Sequence, residues 1–155
     1  MKNLYDKNAF EIMKIADKTS SMSLNRFEQI KAFAVEGNYK SIGIAHCITF
    51  FREVTLIKQY LEKNFKVYTV DCKYGHLSRK ELLGGNSSYS LCNPAGQAKY
   101  LNDKNTDLNI SIGLCVGHDM IFNEESNAPV TSVYTKDFTN NNDMDQALSD
   151  IKRKF

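Results

Sequence analysis

The sequence lacks any long apolar run. No window approaches the roughly twenty apolar residues that a membrane-spanning helix needs, and the first stretch, MKNLYDKNAFEIMKIADK, is interrupted by charges. We therefore expect neither a signal peptide nor a membrane anchor. A cytoplasmic location is the resulting expectation.

An excess of charge of one sign is also missing. Twenty Lys and Arg residues stand against eighteen Asp and Glu residues, which gives a formal net charge of +2. A nucleic-acid-binding domain usually carries a clear basic excess. We therefore expect no nucleic-acid partner.

Several common catalytic and binding motifs do not occur. No Gly-x-Gly-x-x-Gly follows the first predicted strand, no Walker A motif is present, and the stretch GIAHC is not a Gly-x-Ser-x-Gly nucleophile elbow. Nucleotide binding and serine hydrolase chemistry are therefore disfavoured.

What the sequence does contain is an alternation of strand-like and helix-like segments. Buried strands are predicted at 40–46, 65–72, 107–115 and 128–137, and helical patterns lie between them and after the last one, at 144–155. Ser23 is the expected N-cap of a helix in the N-terminal part, and Asn93 the expected N-cap of a helix with Pro94 at its first position. The pattern predicts a single α/β domain over residues 1–155, with an N-terminal helical segment, 1–38, packed on it. Its expected core is a three-layer, Rossmann-like or flavodoxin-like sandwich with a mainly parallel four-stranded sheet of order 2-1-3-4.

The four cysteines fall at related places in this fold. Cys47, Cys72 and Cys115 are each predicted to end a strand, and Cys92 precedes the Asn-Pro helix start. In a parallel sheet the carboxyl ends of all strands lie on one edge, which is where open α/β folds bind ligands. We therefore expect the four thiols to meet at that edge.

Thiols placed near helix N-termini are biased toward thiolate, the form that binds metal or attacks an electrophile. Four cysteines at one place suit an iron–sulfur cluster or zinc, and in a reducing compartment they are not expected to form disulfides. No C-x-x-C pair is present, so two other interpretations stay open. The cysteines could all be buried packing residues, or Cys115 could be a metal-free nucleophile.

His118 and Asp119 follow Cys115 at the start of a predicted helix. His118 has the chemistry of a ligand, of a general acid/base or of a hydrogen-bond donor to a ligand. Asp119 is interpreted as the residue that orients His118, or as a carboxylate that complements the helix N-terminus.

Four stretches of the chain, IGIAHC, CNPAGQAKYLN, TDLNISIGLCVGHDMIF and APVTSVYTKD, resemble an uncharacterised bacterial and archaeal family of predicted metal-binding proteins. The resemblance covers residues 39–137, with CNP-x-x-QA and GLCVGHD as its specific motifs. It implies motif positions at Cys47, Cys72, Cys92, Cys115, Gly117, His118 and Asp119. The chain departs from the family in having no cysteine before Cys47, and in having FTNNNDMDQ where a Gly-His-Asn-Pro segment is common.

The leading functional hypothesis is an iron–sulfur protein, with a 4Fe–4S cluster favoured over zinc and Cys47, Cys72, Cys92 and Cys115 as the ligands. Four cysteine ligands would give a closed cluster for electron transfer, sensing or structure, whereas three would leave an iron free to act on a small molecule. The architecture resembles that of 2-thiouracil desulfidases, which implies a sulfur-transfer role, with His118 or Asp119 handling protons. A redox partner protein and a homodimer are further expectations. The alternatives are a zinc-binding module without catalysis and a metal-free cysteine enzyme.

Overall fold

The computed structural model describes residues 2–153 and contains a four-stranded parallel sheet. The strand order is β2-β1-β3-β4, and β1 lies between β2 and β3 with Ile44 opposite Thr69 on one side and Ile110 on the other. This confirms the predicted order. The strands are Ser41–His46 (β1), Lys66–Asp71 (β2), Leu108–Ile112 (β3) and Val130–Tyr134 (β4).

Helices connect the strands and flank the sheet. They are Lys7–Thr19 (α1), Arg26–Glu36 (α2), Phe51–Leu61 (α3), Arg79–Leu83 (α4), Pro94–Asp103 (α5), His118–Glu125 (α6) and Met144–Lys152 (α7). The final helix was predicted to continue to residue 155, and residues 154–155 lie outside the described part of the chain. No helix among residues 2–153 is long and apolar enough to cross a membrane.

The core has two halves, one on each face of the sheet. Strands β1 and β3 bury isoleucines against α2 and α3 on one face, where Val54, Ile57 and Leu61 of α3 face them. On the other face, Ala45 and Val70 pack with Leu101 of α5 and Phe122 of α6. Burial on both faces is typical of parallel strands, which carry nearly continuous apolar runs. The expected three-layer arrangement is therefore present.

Two helix starts show how local chemistry sets the boundaries. Asn93 caps α5 as predicted, because its side-chain oxygen accepts a hydrogen bond from the amide of Gly96 at 2.9 Å. The expected cap at Ser23 is wrong. Asn25 caps α2 instead, since its side chain accepts from the amide of Glu28 while the Glu28 carboxylate accepts from the amide of Asn25, a reciprocal capping box.

The strand ends decide where the cysteines lie. Cys47 and Cys72 directly follow β1 and β2. Cys115 was expected to end the third strand, and that boundary is wrong, because β3 ends at Ile112. Gly113 has a φ of +60°, a left-handed conformation that turns the chain out of the strand.

Candidate functional site

The sulfur of Cys47 is surrounded by hydrogen-bond donors. Lys136 Nζ lies 3.3 Å from Cys47 Sγ, and the hydroxyl of Thr49 donates to the same sulfur at 3.2 Å. Cys47 is only 5% exposed. Burial raises the pKa of the Cys47 thiol, but the hydrogen bonds from Thr49 and the Lys136 ammonium outweigh it, so that the pKa lies below its ordinary value. The site therefore favours a thiolate at Cys47.

Lys136 joins this sulfur to a second one. Its Nζ is also 3.3 Å from Cys115 Sγ, so the two sulfurs are no further apart than twice that contact. Lys136 follows β4 by two residues and its ammonium lies 4.8 Å from the centroid of the Phe138 ring. Burial lowers the pKa of Lys136, and the hydrogen bonds and charges of the two cysteines reverse this effect and raise it. The result is an ammonium shared by two sulfurs.

The other two cysteines form a second pair. Cys72 is 3% exposed, and its pKa is raised to about 12 by burial and then by the hydrogen-bonded thiol of Cys92 and the charges of Cys92 and Cys47, despite the lowering effect of the Ile48 amide. The amide of Asn93 donates to the carbonyl oxygen of Cys72 at 2.8 Å, which fixes the segment before α5 against the end of β2. Cys72 is therefore a thiol that burial keeps neutral.

The four cysteines thus lie at the carboxyl edge of the sheet as two neighbouring pairs. The pairs are close enough for the charge of Cys47 to raise the pKa of Cys72. Among residues 2–153, however, no three His, Cys, Asp or Glu side chains are arranged as the ligands of one metal ion. Metal binding therefore stays a prediction.

Comparison with known proteins places the chain in a family. The family model described as protein of unknown function (DUF1847) matches residues 1–133. The chain belongs to the DUF1847 family. An uncharacterized protein of Methanocaldococcus jannaschii is 39% identical to it over 132 residues, which cover 82% of this chain and 68% of that protein. The four cysteines of this DUF1847 chain lie within the matched residues, whereas Lys136 lies beyond them.

His118 and Asp119 begin α6 in this DUF1847 structure. The backbone amides of both residues donate to the carbonyl oxygen of Cys115, at 2.9 and 3.1 Å. The Asp119 carboxylate accepts from the amide of Met120 at 2.8 Å, and no hydrogen bond within the described residues joins it to His118. The arrangement ties Cys115 to the helix start, and the catalytic roles of His118 and Asp119 stay predictions.

The motif-based reading of the sequence missed Lys136 and Thr49. Both sit at the same sheet edge as the cysteines, Thr49 just after β1 and Lys136 just after β4. The rule that carboxyl strand ends converge therefore applied to them as well. Their residue types gave no separate signal, because lysine and threonine are ordinary at such positions.

Proposed function

We propose that this protein binds an iron–sulfur cluster through Cys47, Cys72, Cys92 and Cys115, with a 4Fe–4S cluster favoured and zinc as the alternative metal. The observation that supports the proposal is the position of the four cysteines, which come from four separate segments and lie together at one sheet edge. Thiolates are the ligands that iron–sulfur clusters and structural zinc sites prefer.

The four cysteine thiols are chemically suitable ligands for an iron–sulfur cluster or a zinc ion. Two rearrangements are needed before all four sulfurs can serve one centre. Lys136 must withdraw from between Cys47 and Cys115, and Cys72, whose pKa is about 12 without metal, must release its proton. The Lys136 ammonium then stays close enough to offset part of the negative charge of the thiolates.

A bound cluster would supply either electron transfer or, with only three cysteine ligands, an open iron suited to sulfur transfer from a small molecule. Two apolar side chains next to the cysteines are open to a substrate or a redox partner protein. Ile48, which follows Cys47, is 50% exposed, and Val116, which follows Cys115, is 86% exposed.

The test is anaerobic purification of the full chain, followed by an ultraviolet–visible spectrum and analysis of iron, sulfide and zinc. The proposal expects a brown protein with stoichiometric iron and sulfide. Four single Cys→Ser variants then count the ligands, since loss of the cluster in all four identifies a closed site and retention in one identifies an open site. A colourless protein without iron or zinc, even after anaerobic reconstitution, would contradict the proposal.

A second candidate function is metal-free thiol chemistry with Cys47 as the nucleophile. The specific observation in its favour is that Lys136 and Thr49 both donate to the Cys47 sulfur. Such donors stabilise a thiolate, which is the reactive form of cysteine. This assigns the nucleophile to Cys47, whereas the sequence pattern suggested Cys115.

A further inference from the structure

Lys136 Nζ lies at 3.3 Å from two sulfurs that belong to two different loops. We propose that Lys136 and Cys47 are the site of an oxidative cross-link, in which one oxygen atom bridges Lys136 Nζ and Cys47 Sγ when the protein meets hydrogen peroxide. The product is an N–O–S bridge that links the segment after β4, where Lys136 lies, to Cys47 at the end of β1.

The backbone around the contact is held in place. The amide of Cys47 donates to the carbonyl oxygen of Ile112 at 3.0 Å, and the amide of Gly113 donates to the carbonyl oxygen of Tyr134 at 2.9 Å. These bonds extend the sheet ladder from β1 through β3 to β4, just before Lys136. The nitrogen and the sulfur are therefore already in contact, and the bridge needs no rearrangement of the backbone.

Cys47 is the better of the two sulfurs for this reaction. Peroxide oxidises thiolates, and the Cys47 sulfur has a second donor, Thr49 Oγ1, in addition to Lys136. Peroxide first converts the Cys47 thiolate to a sulfenic acid, which removes the charge that holds the Lys136 proton. The freed amine then lies next to the sulfenic oxygen.

The reaction balances with hydrogen peroxide as the only oxidant. In the first step the sulfur takes one oxygen from peroxide and one water is released. In the second step a further peroxide removes one hydrogen from the sulfenic acid and one from the amine, the N–O bond forms, and two waters are released. The sulfur and nitrogen together lose four electrons, which the two peroxide molecules accept.

The Cys72–Cys92 pair provides an internal contrast. Among residues 2–153, no lysine nitrogen lies within hydrogen-bond distance of the sulfur of Cys72 or of Cys92, whereas Lys136 contacts Cys47 and Cys115. Oxidation of that pair can give a disulfide but no N–O–S bridge. The cross-link is therefore specific to the edge where Lys136 lies.

The experiment treats the purified full chain, freed of metal with a chelator, with hydrogen peroxide, digests it without reductant and maps the peptides by mass spectrometry. The proposal expects one linked peptide pair that contains Cys47 and Lys136, heavier than the unlinked pair by one oxygen and lighter by two hydrogens. Dithiothreitol should separate the pair. The Lys136→Arg variant keeps the positive charge and should lose the linked pair, whereas Cys92→Ser should retain it.

The peptide masses also distinguish the N–O–S bridge from the other oxidation products of Cys47. A Cys47–Cys115 disulfide lacks the added oxygen, and sulfinic acid at Cys47 leaves Lys136 unlinked. Either product as the main one, or a linked pair that persists in Lys136→Arg, would overturn the proposal. Because the chain is treated free of metal, loss of the linked pair and loss of metal binding are separate outcomes, and neither the proposed metal site nor any activity enters the readout.

Discussion

The side-chain amide of Gln97 donates a hydrogen bond to the carbonyl oxygen of Val70 at 2.9 Å. The same Nε2 donates to the carbonyl oxygen of His46 at 3.1 Å, and Gln97 is fully buried. His46 directly precedes Cys47, and Val70 lies two residues before Cys72. One side chain from α5 thus fixes the ends of β1 and β2, the two strands that present these cysteines.

Replacing Gln97 should loosen the site as well as the fold. We expect Gln97→Ala to lower the free energy of unfolding by about 2 to 4 kcal/mol, because it removes two buried hydrogen bonds and creates a cavity. Chemical denaturation measures the loss. Gln29→Ala is the matched control, since Gln29 also donates to two backbone carbonyls, those of Ser21 and Leu24, but at a partly buried position. An equal loss in both variants would show that burial of the Gln97 bonds is unimportant.

The loop between β3 and α6 contains two glycines, Gly113 and Gly117, whose substitution separates backbone strain from side-chain crowding. A Cβ at Gly113 would lie 2.0 Å from the Phe50 ring, whereas a Cβ at Gly117 would meet nothing within 4 Å, and both residues have positive φ. Gly113→Ala should cost about 2 to 5 kcal/mol, from strain and overpacking together, and Gly117→Ala about 1 to 2 kcal/mol, from strain alone. Thermal unfolding of both variants checks the order. A Gly117→Ala loss as large as that of Gly113→Ala would contradict the role given to Phe50.

The sheet order was predictable because its signals are local and strong. Each strand is a short run of β-branched and aliphatic residues, and right-handed crossovers leave few ways to order four parallel strands. The position of Cys47 and Cys72 at the same edge of the sheet follows from the same topology. Gly113 shows the limit of the pattern: the apolar run continues past it to Leu114, while its positive φ has already ended the strand.

Choices between equally good local signals could not be made from composition. Ser23 and Asn25 are both good N-caps. Asn25 is the cap in the structure because Glu28, three residues later, completes a capping box with it. Lys136 is a harder case. A lysine near a strand end is usually solvated, and only the three-dimensional position of Cys47 and Cys115 identifies it as their shared partner.

At alkaline pH, the buried thiol of Cys72 should lower the free energy of unfolding. Its pKa rises from 9.0 to about 12 on folding, so above pH 9 the unfolded chain releases a proton that the folded protein keeps. Stability is therefore fully present below the ordinary thiol pKa and falls as the pH rises toward 12, by at most about 4 kcal/mol. The measurement is the free energy of unfolding at several pH values, with reductant and without metal.

The Cys72→Ala variant isolates this effect from other groups that titrate in the same range, such as Tyr39. Its free energy of unfolding should fall less steeply above pH 9 than that of the unmodified protein. Cys115→Ala, which leaves Cys72 in place, should retain the steep decline. Parallel pH profiles for the unmodified protein and Cys72→Ala would show that Cys72 is not the source.

Lys136 should set the reactivity of Cys47 in the metal-free protein. The lowered pKa of Cys47 predicts alkylation by iodoacetamide at a pH below the range of an ordinary thiol, and at a lower pH than Cys72. Lys136→Met should move the midpoint of the Cys47 rate profile upward by roughly one pH unit, because an adjacent opposite charge shifts a pKa by about that amount or more.

Lys73→Met is the matched control: Lys73 follows β2 at the same sheet edge, but its Nζ donates to the carbonyl oxygen of Ser90 and not to a sulfur. Peptide mapping of the alkylated cysteines at each pH gives the midpoints. An unchanged Cys47 midpoint in Lys136→Met, or an equal shift in Lys73→Met, would mean that burial and Thr49 alone govern the thiol.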